Sequence, residues 1–169
     1  MYYDEELSAL EATSYQSMSL ASKSDDLSSS SIIIINGDSP ALQNKIANEL
    51  QNLLSKKFVH INIYQKLAQS NSQHPLSSNE LSQALQDIHK EIISLAHNGN
   101  NLIISHNSIF ASEQSSLYKS LKRFSPYWVD LENKKAPEAP LNLHLNVNAL
   151  SATQATFMIY NSLIVHLQQ

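Results

Sequence analysis

Four isoleucines in a row, Ile32 to Ile35, leave this chain few folds to choose from. A β-strand turns successive side chains to opposite faces, so a run that is apolar at every position must be covered on both sides. The run is too short for a helix. It meets Asn36-Gly37-Asp38-Ser39-Pro40 at once, where a capping hydroxyl precedes a proline suited to the first helical position. Leu42, Ile46, Leu50, Leu53 and Leu54 then recur at helical spacing, so residues 40–56 are predicted helical. A doubly covered strand feeding an amphipathic helix opens an α/β domain.

The alternation continues. Phe58 to Ile63 reads as a second strand, followed by a loop around Asn71 to Pro75. Ser77 and Glu80 have capping-box spacing ahead of a helix through Leu81, Leu85, Ile88, Ile92 and Leu95, and Gly99 suits the left-handed position after it. Leu102 to Ile104 makes a third strand, residues 112–124 a helix through Leu117, Leu121 and Phe124, and Tyr127 to Leu131 a fourth strand. From Leu141 to Val147, Leu143, Leu145 and Val147 alternate with His144 and Asn146, the mark of a half-buried fifth strand. Ser151 and Gln154 repeat the capping spacing before a last helix through Phe157, Tyr160, Leu163, Ile164 and Leu167. The expected architecture is a three-layer α/β/α sandwich with a mainly parallel five-stranded sheet and right-handed crossovers.

That domain spans residues 31–169. Residues 1–30 form an acidic, Ser-rich segment with apolar positions only at a few sites such as Leu7, Leu10 and Tyr15, and read as a mobile arm or docking segment, with Tyr2 and Tyr3 near its tip. A length of 169 residues gives one domain of ordinary size, and 42% hydrophobic residues suffice for its core. The absence of Cys excludes disulfides, thiolate nucleophiles and Cys-ligated metal sites. A formal charge of -4 with Arg123 as the single arginine argues against a nucleic-acid partner. No apolar run approaches the roughly 18–20 residues that span a bilayer, and the start is acidic where a signal peptide is basic, so a cytoplasmic location without membrane insertion is expected.

In open α/β sheets ligands bind beyond the carboxyl ends of the strands, which directs attention to the first strand-to-helix turn. A phosphate-binding loop there has the form GxxxxGK[ST]: glycines let N–H groups surround phosphate, the lysine neutralises it and the hydroxyl binds magnesium. Gly37 fits the first glycine; Leu42, Gln43 and Asn44 stand where the second glycine, the lysine and the Ser/Thr belong.

The flanking stretch IIINGDSPALQNKIANELQ nevertheless resembles the start of chloramphenicol phosphotransferase-like P-loop kinases, through Asn36, Gly37, Ser39, Ile46, Ala47, Leu50 and Gln51. The resemblance covers about residues 31–167 and lies in the scaffold. It puts Tyr64 where the family's second strand ends in a catalytic aspartate, and Ser105 and His106 at the end of the third strand. Asn146 and Asn148 fall in the polar segment before the closing helix. Glu132 to Pro140 corresponds to the family's arginine-bearing lid, shortened and without arginine.

These departures all remove positive charge from the reacting centre, where phosphoryl transfer depends on positioning and on cations. The resemblance therefore implies a catalytically degenerate kinase-like protein, without catalytic residues or cofactor, that acts as a protein-binding or assembly component, its partner another protein or a second copy. The alternative is a divergent ATP-dependent phosphotransferase acting on a small hydroxylated molecule, or a nucleotide-binding pseudokinase. There Gly37, Ser39, Asn44 and Lys45 would line a vestigial ATP and magnesium site, Lys45 swinging back from its place as a solvated charge on the helix.

Other candidates are weaker. Seven histidines include no HxxxH or HxH pair, so no metal site is expected, although His60, His106 and His144 fall on strands. Ser105 and His106 point to opposite faces of a strand and lack the GxSxG turn of a hydrolase. Asp130 and Glu132 read as a solvated loop end.

Overall fold

The computed structural model of the protein describes residues 30–70, 74–107, 111–131 and 141–167. The reading of residues 1–30 as an arm, apart from Ser30, and that of Glu132 to Pro140 as a shortened lid lie outside the described residues. Strand β1 (Ile32–Asn36) is buried at all five positions. It runs between β3 (Asn101–His106) and β4 (Tyr127–Asp130), while β2 (Phe58–Asn62) lies beyond β3 and the short β5 (Leu143–His144) beyond β4. The order is β2-β3-β1-β4-β5 and all four pairings are parallel.

The isoleucine run divides between two cores. Ile33 and Ile35 pack with Ile46 and Leu50 of α1 (Pro40–Leu53) and with Ala155 and Ile159 of α5 (Ala152–Leu167). Ile32 and Ile34 face the other way, toward Leu67 of α2 (Ile63–Ser70), Ile92 of α3 (Ser78–His97) and Leu117 of α4 (Ala111–Leu121). Each fully buried isoleucine is worth about 2 kcal/mol relative to an exposed one, so the central strand anchors both layers. The three-layer sandwich is the one expected from the sequence.

The local signals act as their chemistry requires. Ser39 Oγ accepts a hydrogen bond from Leu42 N at 3.3 Å, with Pro40 opening α1. Ser77 and Glu80 form a complete capping box, with Glu80 Oε2 accepting from Ser77 N at 2.8 Å and Ser77 Oγ from Glu80 N at 3.3 Å. Ser151 and Gln154 bond reciprocally at 2.9 and 3.2 Å ahead of α5. Gly99 takes a φ of +81° after α3.

Four readings need correction. Helix α2 occupies Ile63–Ser70, where no helix was expected, and so β2 ends at Asn62. Its signals are sparse: Ile63 and Leu67 are the buried residues, and the cap is Asn62, whose Oδ1 accepts from Gln65 N at 3.0 Å. Tyr64 thus stands on a helix, 48% exposed, and not at a strand end. The fifth strand is only Leu143–His144, because its neighbour β4 stops at Asp130 and leaves no further ladder; Asn146 instead caps a 3₁₀ turn, Val147–Ala149. Helix α4 ends at Leu121 and passes into a 3₁₀ turn at Lys122–Phe124. Helix α1 ends at Leu53, where Leu54 adopts an extended conformation.

Candidate functional site

The carboxyl ends of β1, β3 and β4 lie in register, with Asn36 beside both His106 and Asp130. The turn from β1 into α1 therefore sits over this edge. Gly37 N donates to His106 O at 3.1 Å, joining the turn to the end of β3. Among the described glycines, the positive φ belongs to Gly99, so Gly37 makes no use of glycine's left-handed freedom.

Gln43, where a phosphate-binding loop carries lysine, is 2% exposed and folds back under the turn. Its Nε2 donates to Ile35 O at 3.0 Å and to His106 O at 2.8 Å, using both amide hydrogens on main-chain carbonyls of adjacent strands. The amide is neutral and serves as a cross-strand tie. Leu42 N is bonded to Ser39 Oγ and Gln43 N to Ser39 O, which turns these amides inward to the helix. Leu42, in place of the second glycine, lies in the first turn of α1 and packs against the α1–α5 core.

The other candidate positions are separated. Ser39 serves as the cap. Asn44 Oδ1 accepts from Asn62 Nδ2 at 2.8 Å, which ties α1 to the end of β2. Lys45 is exposed while Gln43 is buried; two residues along a helix are about 200° apart, so its charge faces solvent away from the turn. Gly37 and Gln43 come together, and Lys45 stands apart.

A second group of polar residues occupies the α3–α4 side of the same edge. Asn36 Nδ2 donates to Asp130 Oδ1 at 3.3 Å, and Gln114 Nε2 donates to Asn36 Oδ1 and, at 3.0 Å, to Asn107 O. His144 Nδ1 is 3.5 Å from Asp130 Oδ2. Asp130 is 1% exposed, which corrects its reading as a solvated loop end: β5 and Asn36 cover it. Glu132 lies outside the described residues.

Ser105 and His106 do point to opposite faces. His60 Nε2 and Ser105 Oγ are 2.9 Å apart on the α1–α5 side. His106 turns toward α3, its ring centroid 6.0 Å from that of His89. Its Nδ1 lies 3.0 Å from Asn107 O, a contact that places the proton on Nδ1, and its buried Nε2 has no hydrogen-bond partner among the described residues. Burial pushes the His106 imidazolium down to about 4, with nearby His89 adding to the effect and the Asn107 carbonyl and Glu113 opposing it. Burial also lowers His89 and His60, with Glu113 partly offsetting the effect at His89. Among the described residues no group of three or more His, Asp or Glu side chains converges as a metal site.

Among the described residues, the carboxyl groups at this edge do not suit phosphate. Asp130 is buried in it and Asp38 is exposed in the turn. Arg123 is at the opposite edge, before the start of β4, with Nη2 2.7 Å from His97 Nδ1 and its guanidinium over the Phe124 ring at 4.7 Å. Sequence reasoning missed the roles of Gln43, Asn62 and Gln114. The available signal was a polar residue at the end of each of three neighbouring strands: Asn36, His106 and Asp130.

No protein-family model matches the chain, and no curated protein does. Solved structures do. A mutant APS kinase from Mycobacterium tuberculosis is 13% identical, with a TM-score of 0.60 over 79% of this chain and 96% of its own. A gluconokinase from Sinorhizobium meliloti is 10% identical, with a TM-score of 0.56 over 84% and 98%. A tunicamycin resistance protein from Deinococcus radiodurans is 13% identical, with a TM-score of 0.56 over 79% and 95%. At these identities the likeness is one of fold: the chain has the α/β architecture of P-loop kinases, across nearly the whole length of each of these structures.

Proposed function

We propose that this protein is a kinase-fold component that does not transfer phosphate and acts by binding another protein. The observation that carries the reading is the placement of Gln43, a neutral amide committed to two main-chain carbonyls where phosphoryl transfer requires a mobile cation. Asn44, in place of the magnesium-binding hydroxyl, is engaged by Asn62. Among the described residues, Lys45, the lysine that follows this turn in the chain, faces solvent. Loss of one cation from such a site already costs orders of magnitude in rate, and among the described residues neither Gln43 nor Lys45 brings one to the turn.

The test is incubation of the purified chain with labelled ATP, magnesium and a panel of small hydroxylated acceptors, beside a Gly37→Trp control. The expected result is no labelled product from either. Turnover by the parent that Gly37→Trp abolishes contradicts the reading and favours a divergent phosphotransferase.

A further inference from the structure

Helix α5 presents an uncharged, largely apolar face to solvent. Phe157 is 50% exposed, Met158 45% and Val165 59%. Between Ala152 and Leu167 there is no Asp, Glu, Lys or Arg, whereas the exposed side of α3 carries Glu80, Asp87, Lys90 and Glu91. A surface helix ordinarily turns polar residues to water. The α5 face is built to be covered.

Its sequence indicates by what. Asn161 is exposed at the centre of the stripe. At about 100° per residue, Phe157 and Val165 lie about 40° to either side of it and one turn away in opposite directions, and Met158 and half-buried Ile164 lie about 60° to either side. The order is the same read from either end: apolar pair, amide, apolar pair. The sequence carries the symmetry a step further, to Gln154 and Gln168. In an antiparallel pair centred on Asn161, residues equally far from it on either side meet across the seam, so this order sets apolar side chains against apolar ones.

We infer that the partner bound by α5 is a second copy of this chain, packed antiparallel about Asn161, with Phe157 of each copy against Val165 of the other. The absence of charge matters as much as the symmetry. Two copies of a chain with net charge -4 repel, and this face brings no like charges together. The two Asn161 amides meet at the axis, where paired amides fix register. One helix pair buries less than the roughly 800 Å² per partner of a standard interface, so the dimer forms in a concentration-dependent way.

The inference extends the protein-binding reading by naming the partner, and its test is separate: phosphate turnover would overturn that reading and leave this one standing. Sedimentation velocity from low micromolar to millimolar protein is run on the parent, Phe157→Lys, Val165→Glu and the double variant, with circular dichroism to confirm the fold. The parent is expected to dimerise. Each single variant sets a charge against an apolar side chain and weakens association roughly tenfold or more. In the double variant each introduced ammonium faces an introduced carboxylate of the other copy, and association recovers to within about threefold of the parent. A parent that stays monomeric, single variants that associate as the parent does, or a double variant no better than the singles each overturns the inference.

Discussion

The Gln43 side-chain amide lies 2.8 Å from the carbonyl oxygen of His106 and, through the same nitrogen, 3.0 Å from that of Ile35. One buried side chain thus closes the ends of two neighbouring strands at the edge where a kinase of this architecture works. Gln43→Met keeps the volume and removes both donors, leaving two buried carbonyls without these bonds. The expected loss is about 2–3 kcal/mol of unfolding free energy, read from urea denaturation. A change under about 0.5 kcal/mol, the range of ordinary surface substitutions, contradicts the structural role given to this amide.

Burial of His106 is expected to make the fold sensitive to acid. Its imidazolium is lowered to about 4 in the folded state by burial, while the unfolded chain protonates near 6.5. Between these values the unfolded state binds the extra proton, so stability is complete above about pH 6.5 and falls toward pH 4. For this one group the fall is on the order of 3 kcal/mol, and His89 adds to it in the same direction. Denaturation midpoints measured from pH 7.5 to 4.5 check this. His106→Gln, which does not titrate, is expected to flatten most of the slope, and an unchanged slope contradicts it.

At the two glycines the cost of a Cβ is expected to follow the backbone and not the space around it. A Cβ at Gly99 meets nothing within 4 Å, yet φ is +81°, so Gly99→Ala costs about 1 kcal/mol through the backbone alone. At Gly37 a Cβ lies 3.4 Å from Leu131 Cβ and 3.6 Å from Gln43 Nε2 with no positive φ, so Gly37→Ala is tolerated within about 1 kcal/mol. Thermal denaturation of the pair checks the order; a larger loss at Gly37 than at Gly99 contradicts it.

The fold was legible where apolar periodicity was dense. Ile32 to Ile35 and the stripe from Leu42 to Leu50 announced both layers, and Ser39, Ser77, Gly99 and Ser151 marked helix ends by chemistry that acts within a few residues. Helix α2 was not legible, since two buried positions in eight residues barely form a stripe. The fifth strand failed for a different reason: a ladder is as long as its neighbour allows, and β4 ends at Asp130.

The place of the candidate site was legible in the sequence, and its contacts were not. The substitutions at Leu42, Gln43 and Asn44 could be counted in the sequence. That Gln43 ties β1 to β3, that Asn44 ties α1 to Asn62, and that Asp130 is covered by Asn36 and β5 depends on contacts between residues 8 to 94 apart in the chain. Composition does not encode these. Gly37 looked like a phosphate-loop glycine, but its backbone adopts no positive φ and a methyl group nearly fits.

Calorimetric titration of the purified chain with ATP and ADP, with and without magnesium, tests the central claim most directly. An edge carrying Asp130 and Asp38, with Gln43 fixed to main-chain carbonyls and Lys45 turned away, predicts no saturable heat under any of the four conditions. Saturable, magnesium-dependent ATP binding that Gly37→Trp abolishes contradicts it.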